Sequence, residues 1–521
     1  MKMDSATQQK AGMAGLMLSI LLGGWVRLSA PYMAGFPIND GGLFQVMLLA
    51  LKNNNFNLPN YVEFSGLTIP FTYPPLGFYI GGFLVNTFQL DPIKILQWLP
   101  ASVLIFTIPA FFWLANSILE SALTAGVATF VYAFTPIATQ WALMGGGLTR
   151  SFGLLFLLLT LGSVHQLFRL QQKKYLPAAI LFGALTVLSH PEATINAVAF
   201  CFLLWIFYGR NKTGSMHAAI VGIGILAVTS LWWLPIVARF GLSPYLVASQ
   251  SNPHFIIALL FPFFFLSTQE PQITVIAVLG LIGFVYALAQ KKYLLPVFLL
   301  LPYLVQLRSA SVYSAISLAM LAGLAIAEII LPAISNPSLK NKNIYWVVLI
   351  YLAMYLPMNA MSFSGQLAGT AISSGDREAF EWIKANTPAN SKFLILTGEK
   401  NEYCDGISEW FPALTERINP FIVQGTEWLP GKLTTAIQAD TDLQACLSGN
   451  DAFDCVKTAT QSRGIDYNYI YIARQASIKP ACLVTSKLIR GDNLMATLGA
   501  LPEYSLIYKT DDAVIFARQQ K

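Results

Sequence analysis

The chain has 521 residues, of which 55% are hydrophobic and only 11% are charged, and its mean hydropathy is +0.57. Since soluble domains carry about 25% charged residues, this composition excludes a single large soluble enzyme, a disordered chain and a nucleic-acid-binding protein. The net charge is +6, but only 25 of the 58 charged residues lie in residues 1–361. This split predicts a membrane region, residues 1–361, followed by a soluble domain, residues 362–521.

Most of the membrane region consists of apolar runs separated by short polar segments. Eleven runs are long enough, or nearly so, to cross a bilayer as helices: 11–30, 95–118, 121–142, 149–169, 175–190, 193–209, 216–238, 272–290, 292–307, 312–333 and 344–361. Two shorter runs, 77–89 and 254–267, are predicted to be interfacial or re-entrant helices. The expected fold is therefore a polytopic α-helical membrane protein with about eleven spans and two interfacial helices.

The distribution of Lys and Arg predicts the orientation in the membrane. With eleven spans and a cytoplasmic N-terminus, eleven of the 17 basic residues in this region lie inside and six outside. If both short runs crossed, the numbers would be nine and eight, which fits the positive-inside rule less well. Either number of spans is odd, so the C-terminal domain is expected on the outer face of a plasma (inner) membrane.

An extracytoplasmic domain can keep disulfide bonds. Cys446 and Cys455 bracket a short loop and are expected to pair, which leaves Cys404 for Cys482. This is one of three possible connectivities for four cysteines.

Acidic residues are scarce in the membrane region, which makes them functional candidates. There are only eight, and Asp40, Glu63 and Glu192 are among those expected on the outer face. Asp40 lies in the turn Asn-Asp-Gly-Gly before an amphipathic helix, where it is either a helix cap or a functional acid. Tyr73 precedes a Pro-Pro-Leu step, where the paired prolines give the next surface helix a rigid start.

These segments, WVRLSAPYMAGFPINDGGLFQVMLLAL and TYPPLGFYIGGFL, resemble the GT-C superfamily of membrane glycosyltransferases. The superfamily includes the protein O-mannosyltransferases and the aminoarabinose transferases of lipid A. The layout of the chain and the tail stretch DREAFEWIKANTPANSKFLILTG are also similar. The resemblance implies inverting hexosyl or pentosyl transfer from a polyprenyl-phosphate-linked donor to an acceptor hydroxyl on the outer face. It assigns the role of general base to Asp40.

The sequence departs from the family pattern at three positions. Many relatives have Asp-Glu at the acid turn, whereas here Gly41 follows Asp40. Many have a second acid where GGGLTRS places Arg150, and this change argues against a divalent metal held by two acids. No cofactor is therefore expected. Tyr73 replaces the Lys of the aminoarabinose transferases, which indicates a different substrate class.

Glycosyl transfer from a lipid phosphate also needs cations that stabilise the leaving phosphate. Arg308 and Arg150 are the best candidates, because Arg grips phosphate with two hydrogen bonds. Arg27 either contributes as well or snorkels to the membrane surface. His190 and Glu192, in Ser-His-Pro-Glu, either bind a metal, pair with these arginines or hold the acceptor. The run FIIALLFPFFFLS either lines a groove for the lipid tail or anchors the chain at the interface.

Alternating helices and strands predict that the C-terminal domain is a small extracytoplasmic α/β domain. The predicted helices are 376–387, 433–447, 451–464 and 491–499, and the predicted strands are 392–396, 467–473, 504–509 and 513–518. The stretch SEWFPALTERINPFIVQGTEWLPGK shows no regular pattern and either faces the membrane site or forms a core loop. It contains four candidate contacts for an acceptor: Glu409, Glu416, Arg417 and Glu427.

Two other functions compete with glycosyl transfer. A lipid or glycolipid transporter would carry charges within its spans and internal repeats, and neither is evident. A non-catalytic membrane subunit on a GT-C scaffold is consistent with the loss of an acid at Arg150. The expected partners are the bilayer, a polyprenyl-phosphate sugar and a glycan, lipid or protein acceptor, with no nucleic acid.

Overall fold

The membrane region is built from apolar helices. The computed structural model describes residues 4–249, 274–335, 342–449, 451–474 and 491–519. Within these ranges, seven helices are long and apolar enough to cross a membrane: Ser5–Ala34, Pro92–Leu119, Gly147–Arg169, Pro191–Gly209, Lys212–Phe240, Leu307–Ala333 and Trp346–Ala368. Shorter apolar helices are Gly42–Asn53, Leu76–Phe88, Ala122–Ala133, Val275–Ala289 and Leu294–Val305. The helical membrane fold is confirmed, while the crossing of eleven spans stays a prediction.

One predicted run is interrupted. The run 121–142 forms the helix Ala122–Ala133, a single turn at Pro136–Ala138 and the short helix Gln140–Leu143. The interruption follows from Pro136, because proline has no N–H to donate and disfavours a helical residue before it. The chain after the break lies beside the turn that carries Asp40.

The two short apolar runs have different outcomes. The run 77–89 forms the predicted helix, Leu76–Phe88, which begins directly after Pro74-Pro75. The run 254–267, with the aromatic stretch FIIALLFPFFFLS, lies outside the described residues.

A β-hairpin between the helices Gly42–Asn53 and Leu76–Phe88 was not predicted. Strands β1 (Tyr61–Phe64) and β2 (Leu67–Pro70) pair antiparallel through the turn Ser65-Gly66. Both turn residues have positive φ, 53° and 76°, as in the tight turns that match the twist of hairpins. The Ser65 hydroxyl donates to the carbonyl oxygen of Asn419 (2.9 Å), so the hairpin contacts the C-terminal domain.

The C-terminal domain contains a four-stranded sheet in the order β3-β4-β6-β5. These strands are β3 (Phe393–Leu396), β4 (Tyr469–Ala473), β5 (Tyr504–Lys509) and β6 (Ala513–Arg518). The helices of this domain are Ser374–Asn386, Gly406–Thr415, Leu433–Ala445, Ala452–Gln461 and Asp492–Ala500. Strands β3 and β4 are parallel and the other pairs are antiparallel. The predicted α/β domain is therefore confirmed.

One part of this domain departs from the expectation. The stretch predicted to be irregular contains the helix Gly406–Thr415. Asp405 caps it by accepting a hydrogen bond from the Ser408 N–H (3.0 Å). Ile407, Trp410 and Phe411 lie at helical spacing and pack in one hydrophobic core, which is the amphipathic pattern of a surface helix. The expectation of irregular structure was wrong because the run of polar and aromatic residues concealed this period.

The Cys446–Cys455 disulfide bond is confirmed. The second predicted pair, Cys404–Cys482, includes Cys482, which lies outside the described residues.

The C-terminal domain and the loop that follows the first helix share a hydrophobic core. Phe36 and Leu43 of the loop lie in the same cluster as Phe380, Trp410 and Phe411 of the domain. The fully buried Trp410 ring meets the Phe36 ring edge-on, with centroids 4.9 Å apart. The domain is therefore packed directly against the turn that carries Asp40.

Candidate functional site

Two short backbone segments meet to form the floor of the site. Ile38 pairs with Met144 as in a parallel sheet, and the Gly145 N–H donates to the Ile38 carbonyl oxygen (2.9 Å). A Cβ on Gly145 would overlap the carbonyl oxygen of Asp40, and one on Gly146 would lie 2.6 Å from its carboxylate. Only glycine permits this close approach, so GGGLTRS brings the start of the helix Gly147–Arg169 against the acid turn.

The Asp40 carboxylate is held by two donors. Its Oδ1 accepts from the Gly146 N–H (2.9 Å), and its Oδ2 lies 3.2 Å from Nη1 of Arg150. Arg150 also donates to the carbonyl oxygen of Trp141 (3.3 Å). The alternative that Asp40 is a helix cap is wrong, because the N-cap of the helix Gly42–Asn53 is Gly41 and the Asp40 carboxylate accepts from Gly146 and Arg150 instead.

A second pair of charged residues, Glu192 and Arg308, belongs to the same site. Glu192 Oε1 accepts from Nε2 of Gln306 (3.1 Å) and lies 3.9 Å from Nε of Arg308. Of the alternatives for Glu192, the structure therefore shows pairing with Arg308. His190 is the N-cap of the helix that begins at Pro191. These contacts join Ser-His-Pro-Glu to Gln-Leu-Arg, two segments that are far apart in the sequence.

The Pro-Pro-Leu step is hydrogen-bonded to the segment that precedes His190. The Leu76 N–H, at the start of the surface helix, donates to the carbonyl oxygen of Leu188 (2.9 Å). This bond brings Tyr73 next to His190, and the centroids of the two rings are 6.2 Å apart.

These groups line a partly open cavity of about 440 Å³. Six residues of the membrane region that were singled out from the sequence line it: Asp40, Tyr73, Arg150, His190, Glu192 and Arg308. Five aromatic side chains give it an apolar surface: Phe44, Trp141, Trp232, Tyr245 and Trp428. Clefts of this size with a few convergent polar groups are typical of small-molecule binding.

The C-terminal domain contributes to the lining of the cavity. Glu409 and Glu427, two of the four predicted acceptor contacts, line it, together with Glu402 and Gln424. Burial raises the pKa of the Glu402 and Glu427 carboxyls above the ordinary range. The lining residues Gln306, Glu402 and Gln424 were not predicted. Gln306 could have been found, because it lies two positions before Arg308 in the same connection between helices.

The other two predicted acceptor contacts lie away from the cavity. Glu416 is exposed and pairs with Lys384 (2.6 Å). Arg417 is buried inside the domain, where its Nη2 donates to the carbonyl oxygens of Lys384 (2.8 Å) and Thr387 (2.6 Å). Both contacts are internal to the domain.

Two membrane-region candidates are also displaced from the site. Arg27 is only 1% exposed, and its Nη1 donates to the carbonyl oxygens of Gly23 and Ala133 (both 3.0 Å). It therefore faces the neighbouring helix and neither lines the cavity nor snorkels. Glu63 is exposed on β1, where it accepts from the Thr68 hydroxyl (2.8 Å).

The sequence disfavours a metal at this site, because Arg150 stands where many relatives have a second acid. Among the described residues, no group of three or more His, Cys, Asp and Glu side chains is placed to hold a metal ion. Around Asp40, both carboxylate oxygens are engaged by Gly146 and Arg150. Arg150 supplies a fixed positive charge at this position, and the absence of a metal requirement stays an expectation.

The fold matches solved structures of AftD and of ArnT, the latter in two states. Arabinofuranosyltransferase AftD from Mycobacteria aligns over 96% of this chain with a TM-score of 0.51 and 15% identity. The matched part spans about 40% of the length of AftD. ArnT from Cupriavidus metallidurans, bound to undecaprenyl phosphate, aligns over 96% of this chain and 97% of its own, with a TM-score of 0.54 and 10% identity. The apo state of ArnT gives a TM-score of 0.55 and 10% identity over 97% of this chain and 98% of its own.

No family model and no curated protein matches the sequence. At identities of 10–16% the structural matches show a shared fold. The chain shares the fold of AftD and ArnT, which agrees with the resemblance to GT-C membrane glycosyltransferases in the acid turn and the Pro-Pro-Leu step.

Proposed function

We propose that this protein is an integral-membrane glycosyltransferase that moves a sugar from a polyprenyl-phosphate-linked donor to an acceptor hydroxyl on the outer face. The observation that carries the proposal is the cavity in which the Asp40 carboxylate lies between Arg150 and the backbone of Gly146. Arg308 lines the same cavity. A proton acceptor and two cations are the groups that this reaction needs.

The reaction follows as a single displacement. Asp40 takes the proton of the acceptor hydroxyl while the acceptor oxygen forms a bond to the anomeric carbon of the donor. The bond between this carbon and the phosphate oxygen breaks, and its electron pair leaves with the polyprenyl phosphate. One displacement inverts the anomeric configuration. Arg308 and Arg150 stabilise the negative charge that develops on the phosphate, because fixed charges in a desolvated site act strongly.

The position of the cavity supports a lipid-linked donor. It is bounded by apolar helices and by the C-terminal domain, and its surface is mainly apolar, with several aromatic side chains. A sugar phosphate can occupy the polar part while its prenyl chain extends along the helices. ArnT, which has the same fold, was solved with undecaprenyl phosphate bound.

Binding of the lipid phosphate tests this proposal directly. We expect the purified protein in nanodiscs to bind undecaprenyl phosphate more tightly than undecaprenol, which has the same tail without the phosphate. Arg308→Ala should weaken phosphate binding by about 10-fold or more, since a charge-assisted hydrogen bond contributes about 1.5–3 kcal/mol. Arg239→Ala is the matched control, because Arg239 is an arginine that contacts Asn60 (2.5 Å) outside the cavity.

Two results contradict the proposal. Equal affinity for undecaprenyl phosphate and undecaprenol would mean that the protein does not recognise the phosphate group. Bound donor that is never consumed with any acceptor would favour the non-catalytic subunit.

A further inference from the structure

The turn that carries Asp40 is held by side chains of the C-terminal domain. Oε1 of Glu409 accepts hydrogen bonds from the N–H groups of Gly41 (2.5 Å) and Gly42 (3.1 Å). Nε2 of Gln424 donates to the same oxygen (2.5 Å), which fixes the position of the carboxyl group. The two residues after Asp40 are therefore bonded to a glutamate more than 360 positions away in the sequence.

The residue before Asp40 is bonded by the same helix. The indole N–H of Trp410 donates to the Asn39 carbonyl oxygen (2.8 Å). A Cβ on Gly41 would lie 2.7 Å from Cζ2 of Trp410, so the indole ring packs directly on the turn. The helix Gly406–Thr415 thus contacts the backbone on both sides of Asp40.

The turn needs external partners to keep this conformation. Asn39 has φ of 53° and Gly41 has φ of 137°, so both neighbours of Asp40 lie in the left-handed region. Non-glycine residues at positive φ are uncommon and persist where the surroundings hold them. The N–H groups at the start of the helix Gly42–Asn53 receive no side-chain cap from their own segment. Glu409 is the acceptor for the first of them, the Gly42 N–H, and for the Gly41 N–H that precedes the helix.

We propose that Glu409, fixed by Gln424, is the positioning residue for Asp40, so that docking of the C-terminal domain completes the catalytic centre of the membrane region. This inference rests on the proposed function, in which Asp40 is the base. It gives the outer domain a direct part in the chemistry through backbone geometry, with no requirement that Glu409 touch the substrate.

The charge on Glu409 is not the feature that holds the turn. Burial, and next the negative charge of Asp40, raise the pKa of the Glu409 carboxyl above its ordinary range. A neutral carboxyl still accepts hydrogen bonds through its carbonyl oxygen. Glutamine has the same shape and the same acceptor, so it is the conservative replacement that separates hydrogen bonding from charge.

The test compares three variants of the full chain in the transfer assay. Glu409→Ala should lower kcat by about 10–100-fold with little change in donor KM, since small misplacements of a catalytic group cost up to about 100-fold. Glu409→Gln should keep kcat within about 3-fold of wild type, because its amide oxygen can accept the same bonds. Glu416→Ala is the control, since Glu416 ends the same helix but is exposed, with 68% of its side chain accessible.

A second measurement does not depend on transfer. Hydrogen exchange of a peptide covering residues 36–48 reports directly on the Gly41 and Gly42 amides. Glu409→Ala should speed their exchange by at least 10-fold, whereas Glu409→Gln and Glu416→Ala should leave it at the wild-type rate.

The outcomes separate this inference from the proposed function. Unchanged kcat and unchanged exchange in Glu409→Ala would overturn the positioning role. Equal loss of kcat in Glu409→Ala and Glu409→Gln would overturn it too, since the charge or proton would then be the active feature. A wild-type protein that neither transfers sugar nor binds lipid phosphate would refute the proposed function, while the exchange data would still decide how Glu409 acts on the turn.

Discussion

Replacement of Asp40 by Asn is the most direct test of the base. Asn has nearly the same shape, and its Oδ1 can still accept from the Gly146 N–H, which now lies 2.9 Å from the carboxylate. The amide cannot take the acceptor proton. Its NH₂ group would also face Nη1 of Arg150, which is 3.2 Å from the carboxylate oxygen.

The expected magnitude follows from these contacts. Loss of general-base catalysis lowers transfer by about 10²–10⁴-fold, which corresponds to about 3–5 kcal/mol of the activation barrier. The Arg150 and Asp40 side chains are 21% and 13% exposed, so the pair is mostly desolvated. Breaking it leaves Arg150 without its carboxylate and should destabilise the fold by about 1–3 kcal/mol. The loss of activity therefore exceeds what the loss of stability can explain.

The assay measures release of polyprenyl phosphate from a labelled donor, alongside thermal unfolding in detergent. Asp91→Asn is the matched control: Asp91 is an exposed helix cap that accepts from the Ile93 N–H (2.9 Å), and Asn caps helices as well as Asp does. A folded Asp40→Asn protein with at least half of the wild-type turnover would refute the reasoning. Glu192, which lines the same cavity, would then become the candidate base.

Two further predictions concern the C-terminal domain and the topology. Burial raises the pKa of the Asp440 carboxyl in the folded domain to about 8, whereas an unfolded Asp titrates near 4. The folded state therefore binds the proton more tightly. This contribution to the free energy of unfolding is complete below about pH 4 and is lost as the pH rises towards 8. The Tm of the full chain should therefore fall over this range, and Asp440→Asn, which can still accept from Gln444, should flatten the curve; parallel curves would contradict this. In sealed cells, a single cysteine at Lys173 should resist an impermeant thiol reagent and one at Ser448 should react, and strong labelling at position 173 would contradict the eleven-span topology.

Much of the fold could be predicted from the sequence, because apolar length and helical period are local properties. The predicted strands 504–509 and 513–518 coincide with β5 and β6 for the same reason. The interruption at Pro136 had a visible cause in the sequence, but the apolar run 121–142 continues past the proline and so resembles a single span. The hairpin of β1 and β2 also had a signal, since Ser65-Gly66 separates two short runs.

The sequence predicts those site residues whose charge alone determines that they lie in a polar cavity. Ionisable residues are rare in an apolar region, so those at one membrane face tend to share a polar cavity. Asp40, Arg150 and Arg308 follow this rule. Arg27 does not, because its depth in the first helix could be read from the sequence but its rotation could not. The structure turns it towards the Ala133 carbonyl oxygen inside the helix bundle.

The contribution of the C-terminal domain to the site depends on contacts between distant parts of the chain, which no local pattern encodes. Gly41 illustrates this limit. Read as a sequence, Gly41 is a departure that removes a second acid from the turn. In the structure, φ of 137° and the indole of Trp410 leave no room for a side chain at this position. The second carboxyl group at the turn comes instead from Glu409, which accepts from the Gly41 N–H. The glycine is therefore a requirement of domain docking, and an acid at position 41 would displace the residues that hold Asp40.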